Sequence, residues 1–206
     1  MPQKVLDSRL VGQIGLEWEE KPMAASASSL RILTIGHSTR TLEVFVQLLV
    51  THGVELLVDV RTVPRSRRHP QFNRETLPGA LAAHRIAYVH LKALGGWRRP
   101  RPDSVNTGWR SAGFRGYADY MQSEPFRAAL EELCELARQH PAAVMCAEAV
   151  PWRCHRWLIS DALVVRGVQV EHIVGPEPAQ PHRLTAFARV QENHIVYGEQ
   201  PTLPLG

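Results

Sequence analysis

Two cysteines, a glutamate, a histidine and two arginines fall within eleven consecutive positions, from Cys146-Ala-Glu148 to Arg153-Cys-His-Arg156. These side chains can do connected chemistry. A thiolate attacks an electrophile, a carboxylate or imidazole moves a proton, and a guanidinium fork holds an anion. The apolar run Ala142 to Cys146 reads as a buried strand, and the run after Cys154 as an amphipathic helix. A strand that opens into a helix through a short polar loop puts that loop at the helix N-terminus. Anions are favoured there and thiol pKa values tend to fall. Cys146, Cys154 and Glu148 are therefore candidates for catalysis, with His155 and Arg156 as candidates for holding the substrate.

Alternating strands and helices must position these groups. Arg31 to Ile35 is a short apolar strand ending in Gly36-His37-Ser38. Thr41 can cap a helix over Leu42 to His52, and Gly53 stands where a C-cap belongs. Glu55 to Val60 reads as the second strand, Glu75 to Arg85 as a helix with Pro78 in its first turn, and Ala87 to Leu91 as the third strand. Tyr117 to His140 reads as helical, broken or restarted at Pro125. Ala142 to Cys146 is the fourth strand, Cys154 to Arg166 a helix stopped by Gly167, and Val168 to Val174 the fifth strand. This pattern predicts an α/β fold, a single three-layer domain with a mainly parallel sheet flanked by helices.

In such a sheet, ligands sit beyond the carboxyl ends of the strands. His37 follows the first strand, Asp59 and Arg61 close the second, His90 the third, and Cys146 and Glu148 the fourth. His37 and Asp59 join the catalytic candidates and Arg61 the binding candidates. Each also has an ordinary role open to it. Asp59 can orient Arg61, Arg61 can pair with Glu148, His37 can bond a backbone carbonyl, and Cys146 can be a small core residue. Cys134, inside a helical run, reads as core.

The 206 residues suffice for one core and one domain, expected over 30–198 between a flexible N-terminal extension, 1–29, and a C-terminal tail, 199–206. Hydrophobic residues make up 44% and charged residues 21%, an ordinary globular balance that argues against disorder. No apolar run approaches the ~20 residues of a bilayer span, and no signal-peptide pattern is visible. Three cysteines at no disulfide-like spacing point to a reducing compartment, so a cytoplasmic location without membrane association is expected. Net charge is +4, carried almost wholly by arginine, because Lys4, Lys21 and Lys92 are the only lysines.

Arginine clusters in two loops. Arg61 to Arg74 holds five arginines around Phe72, and a later loop carries Arg98, Arg99, Arg101, Arg110 and Arg115 with Trp97, Trp109 and Phe114. Phosphate pairing plus base stacking is how single-stranded nucleic acid is held, so a nucleic-acid-associated module is the main alternative to an enzyme. The partner expected is accordingly an anionic small molecule or a nucleic acid. A metal site is a third reading. Cys146, Cys154 and His155, with Glu148 or His37, offer zinc-type ligands. The cysteine spacing is wide, however, and sequence neighbours such as Cys154 and His155 rarely share one ion, so neither metal nor cofactor is assigned.

A set of motifs in fixed order also carries a family likeness. Thr34-Ile-Gly-His-Ser38, Val58-Asp-Val-Arg61 with Pro64 and Ser66, Tyr88 with Leu94-Gly-Gly96, Tyr117 to Met121, and Met145-Cys-Ala-Glu148 with Cys154-His-Arg156 resemble the domain of unknown function 488 family. Leu184 to Arg189 and Val196-Tyr197 look like that family's closing pattern. The resemblance covers roughly residues 31 to 190. It implies a compact α/β domain of bacterial or archaeal type with no established reaction, and it adds Ser66 and Tyr117 to the binding candidates. In architecture alone, the order strand, Cys146, loop, helix looks like rhodanese and cysteine-phosphatase domains. The loop departs from the phosphatase pattern, with six residues between Cys146 and Arg153 instead of five and Pro151-Trp152 where glycines would wrap a phosphate. The function that these residues point to is an enzyme acting on an anionic, phosphate- or sulfur-containing substrate through a Cys/Arg/Glu/His cluster at the strand ends.

Overall fold

The computed structural model describes residues 29–198. The expectations for the N-terminal extension up to residue 28 and for the tail 199–206 lie outside the described residues. Apolar runs without alternation form strands buried on both faces. These are β1 (Arg31–Gly36), β2 (Leu56–Asp59), β3 (Ala87–His90) and β4 (Ala142–Cys146); the more polar β5 (Gln169–Ile173), with Gln169 exposed and Glu171 half-buried, lies toward the sheet edge. The sheet order is β3-β2-β4-β1-β5, all parallel, and a short antiparallel strand β6 (Gln180–Pro181) extends the β5 edge. β4 therefore lies between β1 and β2. Gly36 pairs with Cys146, and Asp59 pairs with Met145, so three strand ends converge.

Helices cover both faces. On one side α1 (Leu42–Thr51) and α2 (Leu77–Ala82) pack Phe45, Leu49, Leu77 and Leu81 against Leu33, Ile35 and Leu57 of the sheet. On the other, α3 (Ala112–Tyr120), α4 (Glu124–Gln139) and α5 (Arg156–Val164) pack Tyr117, Phe126, Leu130 and Leu158 against Ile32, Leu56, Val58 and Val144. This is the three-layer α/β arrangement that the sequence implies. Thr41 caps α1 by accepting the Val44 amide at 3.3 Å, and Gly53 and Gly167 take left-handed φ values of 67° and 79° just past helices α1 and α5.

Several boundaries differ from the sequence reading: the helices expected over Glu75 to Arg85 and Cys154 to Arg166 are the shorter Leu77–Ala82 and Arg156–Val164, and two regions differ more. The helical run predicted from Tyr117 starts earlier, at Ala112, and is two helices, with Pro125 in the first turn of the second. Gly113 and Gly116 lower the helix propensity of that stretch. Gly116 is needed there because a Cβ would press into the Arg98 and Arg99 backbone. At the C-terminal end, β7 (Ala188–Gln191) and β8 (His194–Tyr197) form a hairpin whose turn holds Glu192 at φ 55°. The sequence reading assigned no strand here, because glutamate at the first turn position gives no turn signal. Among the described residues, no helix is long and apolar enough to cross a membrane.

Candidate active site at the sheet edge

The converging strand ends form the floor of a cleft of about 640 Å³. Two backbone bonds sew the loop after β1 to the loop after β4: His37 N–H to the Cys146 carbonyl at 3.0 Å, and Ser38 N–H to the Ala147 carbonyl at 2.8 Å. Gly36 makes this possible. A Cβ there would overlap the Glu148 carbonyl oxygen and crowd Arg156 Nη2. Cys146, Glu148, Cys154, His155, His37, Arg61 and Ser66 all line the cleft.

Asp59, Arg156 and Tyr117 stand behind its wall. Asp59 is fully buried and grips Arg61 through both oxygens, with Nε–Oδ1 at 2.9 Å and Nη2–Oδ2 at 2.6 Å, while Tyr88 donates to it at 2.7 Å. Its lone pairs are committed to holding Arg61, which also donates to the Phe72 carbonyl at 2.7 Å. The partner of Arg61 is thus Asp59, and the pairing with Glu148 does not form. Tyr117 is buried, donates its hydroxyl to the Leu94 carbonyl at 2.8 Å, and sets its ring 5.1 Å from that of His155. Ser66 receives the His69 amide on its hydroxyl, at 3.1 Å, and shapes the basic loop.

His37 is neutral. Burial is the main cause that lowers its pKa to about 4, against the pull of its bond to the Ser38 carbonyl. Its ring stacks on Phe72 at 4.4 Å.

The cluster on the floor is asymmetric. The Cys146 thiol donates to Glu148 Oε2 at 3.0 Å. The neighbouring Cys154 sulfur, together with burial, pushes the Cys146 thiol up, and burial, with Cys154 second, also raises the Glu148 carboxyl. Cys154 goes the other way. Burial opposes its ionisation, but hydrogen bonds with Cys146 and His155 and the charge of Arg156 outweigh it and hold the thiol well below its ordinary range. Arg156 gives independent support. Only 1% exposed, it donates Nη2 to the Glu148 carbonyl at 2.6 Å and Nε to Cys154 Sγ at 3.4 Å. No carboxylate pairs with it among the described residues. A buried guanidinium needs a counter-charge, and the Cys154 thiolate is the group in place to supply it.

Side chains therefore join any helix-end effect at Cys154. At the turn into α5, Trp157 N–H bonds the Cys154 carbonyl at 2.9 Å and Leu158 N–H the His155 carbonyl at 3.1 Å. His155 donates Nε2–H to the Val60 carbonyl at 3.1 Å, which orients the ring. Its Nδ1 then faces Cys154 Sγ at 3.7 Å and Cys146 Sγ at 3.9 Å. Cys146 Sγ, Cys154 Sγ and a His155 ring nitrogen lie within 4.8 Å of one another, a set that could hold a metal ion.

Above this floor the walls are basic. Arg65, Arg68, Arg153 and His69 line the cleft, with Trp97 and Phe114 as aromatic walls. Glu148 is the acidic residue among the lining groups, and no acidic side chain pairs with Arg65, Arg68 or Arg153 among the described residues. Sequence reading passed over Arg153 and His69 as site residues, and also Gly96, whose backbone lies so close over His155 that a Cβ would overlap Nδ1. The Gly95-Gly96 pair was the available signal.

Searches of curated proteins and of solved structures find no match. The family described as Domain of unknown function DUF488 matches residues 41–163, more than half of the chain and a span that holds the entire cysteine cluster. The chain belongs to this family.

Proposed function

We propose that the protein is an enzyme acting on an anionic, phosphate- or sulfur-containing substrate, which the basic walls hold over the Cys146–Glu148–Cys154–His155 floor. The observation that carries this reading is the convergence, in one cleft, of Arg65, Arg68 and Arg153, which have no acidic partners among the described residues, and a polarised dithiol–imidazole–carboxylate cluster. Arg65, Arg68 and Arg153 would take the anion's oxygens, an arrangement suited to guanidinium forks. Glu148, whose carboxyl burial raises, is placed to give and take a proton beside the sulfurs. Asp59 and Arg156 are positioning residues, the first through Arg61 and the second through Cys154.

One observation favours a second reading. Trp97, at the cleft rim, is 76% exposed, and Arg98 and Arg99 follow it, which suits a stacked base with flanking phosphates. One experiment weighs the two. The purified protein is assayed against phosphate mono- and diesters and thiosulfate, and its binding to single-stranded DNA is measured over a salt series. Turnover of a small anion that falls at least about 100-fold in Glu148→Gln, with a raised KM in Arg153→Ala, supports the enzyme. Steeply salt-dependent DNA binding without turnover of any small anion overturns it.

A further inference from the structure

We propose that Cys146, Cys154 and His155 bind a zinc ion as three protein ligands, with a fourth coordination position open to the cleft. Zinc holds sulfur at about 2.3 Å and imidazole nitrogen at about 2.0 Å, so a tetrahedral S–N edge is about 3.5 Å. The two observed S–N separations, 3.7 and 3.9 Å, lie close to that edge. A small contraction brings all three atoms onto one ion.

The objection that adjacent residues rarely share an ion has a local answer. Cys154 is extended, at φ −134° and ψ 147°, whereas His155 is helical, at φ −57° and ψ −16°. The backbone bends between them, and both side chains reach the same point. The surroundings also fit. A ligating imidazole usually donates its other N–H to a carbonyl or carboxylate, as His155 Nε2 does to Val60. Arg156 donates Nε–H to Cys154 Sγ, an outer contact that tolerates a metal-bound thiolate. Two sulfurs and one imidazole select a borderline-soft ion over magnesium or calcium.

All three ligand residues line the cleft, so the remaining position faces the basic walls and the Glu148 side chain. Three protein ligands with one open position characterise zinc that takes part in chemistry, whereas structural zinc is closed by four. Such an ion polarises a bound phosphoryl or sulfur oxygen and acidifies its own water. The ion site does not depend on the identity of the substrate.

The test uses the full chain. Protein stripped by chelator and dialysed is titrated with zinc against a chromophoric chelator, and separately with cobalt, whose spectrum reports sulfur ligation and tetrahedral geometry. The expected result is one zinc per chain, with a sulfur-to-cobalt charge-transfer band. Removing a direct ligand should cost more than the 10–100-fold lost with an outer partner, so Cys146→Ser, Cys154→Ser and His155→Ala should each weaken zinc by more than about 100-fold. Cys134→Ser, on α4, should bind as wild type. Circular dichroism checks that each variant is folded. Substoichiometric zinc, a cobalt spectrum without charge transfer, or undiminished binding by folded Cys146→Ser/Cys154→Ser overturns the site. Zinc bound stoichiometrically in a protein that turns over no anion would sink the proposed function and leave the metal site standing. Turnover by a folded protein that binds only substoichiometric zinc would sink the metal site and leave the proposed function standing.

Discussion

Two polar clusters with histidines meet α5, one at its N-terminal end and one at Asp161 within it, and they differ in what they leave unsatisfied. The first is the cleft floor. The second is a buried chain: the Thr34 hydroxyl meets His172 Nδ1 at 2.7 Å, His172 Nε2 meets His182 Nδ1 at 3.0 Å, and His182 Nε2 meets Asp161 Oδ1 at 2.8 Å. Asp161 also accepts the Thr185 amide, the Thr185 hydroxyl and the Tyr197 hydroxyl. Every ring nitrogen there has a partner, and the direction of each bond follows from the carboxylate at one end. The chain fastens the C-terminal residues Thr185 and Tyr197 to α5. On the cleft floor, by contrast, His155 turns Nδ1 toward two sulfurs, the Cys154 thiol is held well below its ordinary range, and Arg65, Arg68 and Arg153 lack acidic partners among the described residues. Satisfied polar networks build structure, and a cluster with unspent lone pairs and charge in an open cleft is suited to a ligand.

Crossed substitutions should separate the two most widely. Asp161→Ala strips the acceptor from four buried donors at about 1–3 kcal/mol each, which sums to about 4 kcal/mol or more of lost stability. For a chain of this size that is about 10 °C or more in Tm. Glu148→Gln, an isosteric change in the cleft, should keep Tm within a few degrees and lower turnover by at least about 100-fold, about 2.7 kcal/mol of barrier. Thermal melts and turnover on both variants check this. If Glu148→Gln unfolds the protein as Asp161→Ala does, the cleft floor is structural and the contrast fails.

Acid should sharpen the comparison through His172. Burial is the main cause lowering its pKa to about 3, and the His182 and Arg156 charges act in the same direction. The folded form therefore resists a proton that the unfolded chain accepts near pH 6.5. This contribution is complete above pH 6.5 and drains away as pH falls toward 3, by a few kcal/mol in all. Urea midpoints at pH 7 and pH 5 should show a clear drop in the wild type and a shallower one in His172→Gln. Equal drops would mean that the histidine chain is not held neutral.

Much of this was legible in sequence, and the failures have physical causes. β4 was read to the residue because five consecutive buried positions need no alternation. That His37, Arg61, Cys146 and Glu148 share one sheet edge followed from parallel order; that β4 lies between β1 and β2 and so brings them together was not legible. The histidine chain was invisible, since Thr34, Asp161, His172 and His182 lie on separate elements and no local pattern marks a buried network. The causes that lower the Cys154 thiol were not legible: they are the Cys146, His155 and Arg156 side chains, not helix amides alone. The orientation of His155 depends on a carbonyl at Val60, which spacing along the chain cannot reveal.

Gly96 offers the smallest and most selective perturbation. A Cβ at this position would overlap His155 Nδ1 and press on Cγ and Cε1, at 2.6 and 2.9 Å. Neither side yields freely. Val60 anchors the ring through Nε2, and Thr62 anchors the loop through the Trp97 amide at 3.2 Å. Gly96→Ala should therefore tilt the imidazole off the two sulfurs at a stability cost of about 1–3 kcal/mol, the range for overpacking a filled space. Turnover should fall by at least about 10-fold, as when the second shell of a site is disturbed. Gly113→Ala is the matched control. It lines the same cleft, but its added Cβ meets only Ser111 Oγ at 3.7 Å, and alanine favours the helix it sits in. That variant should match or slightly exceed the wild type in Tm with unchanged turnover. Equal losses in both glycine variants would mean that the cleft tolerates no added bulk anywhere, and the special position of His155 between the two sulfurs would lose its support.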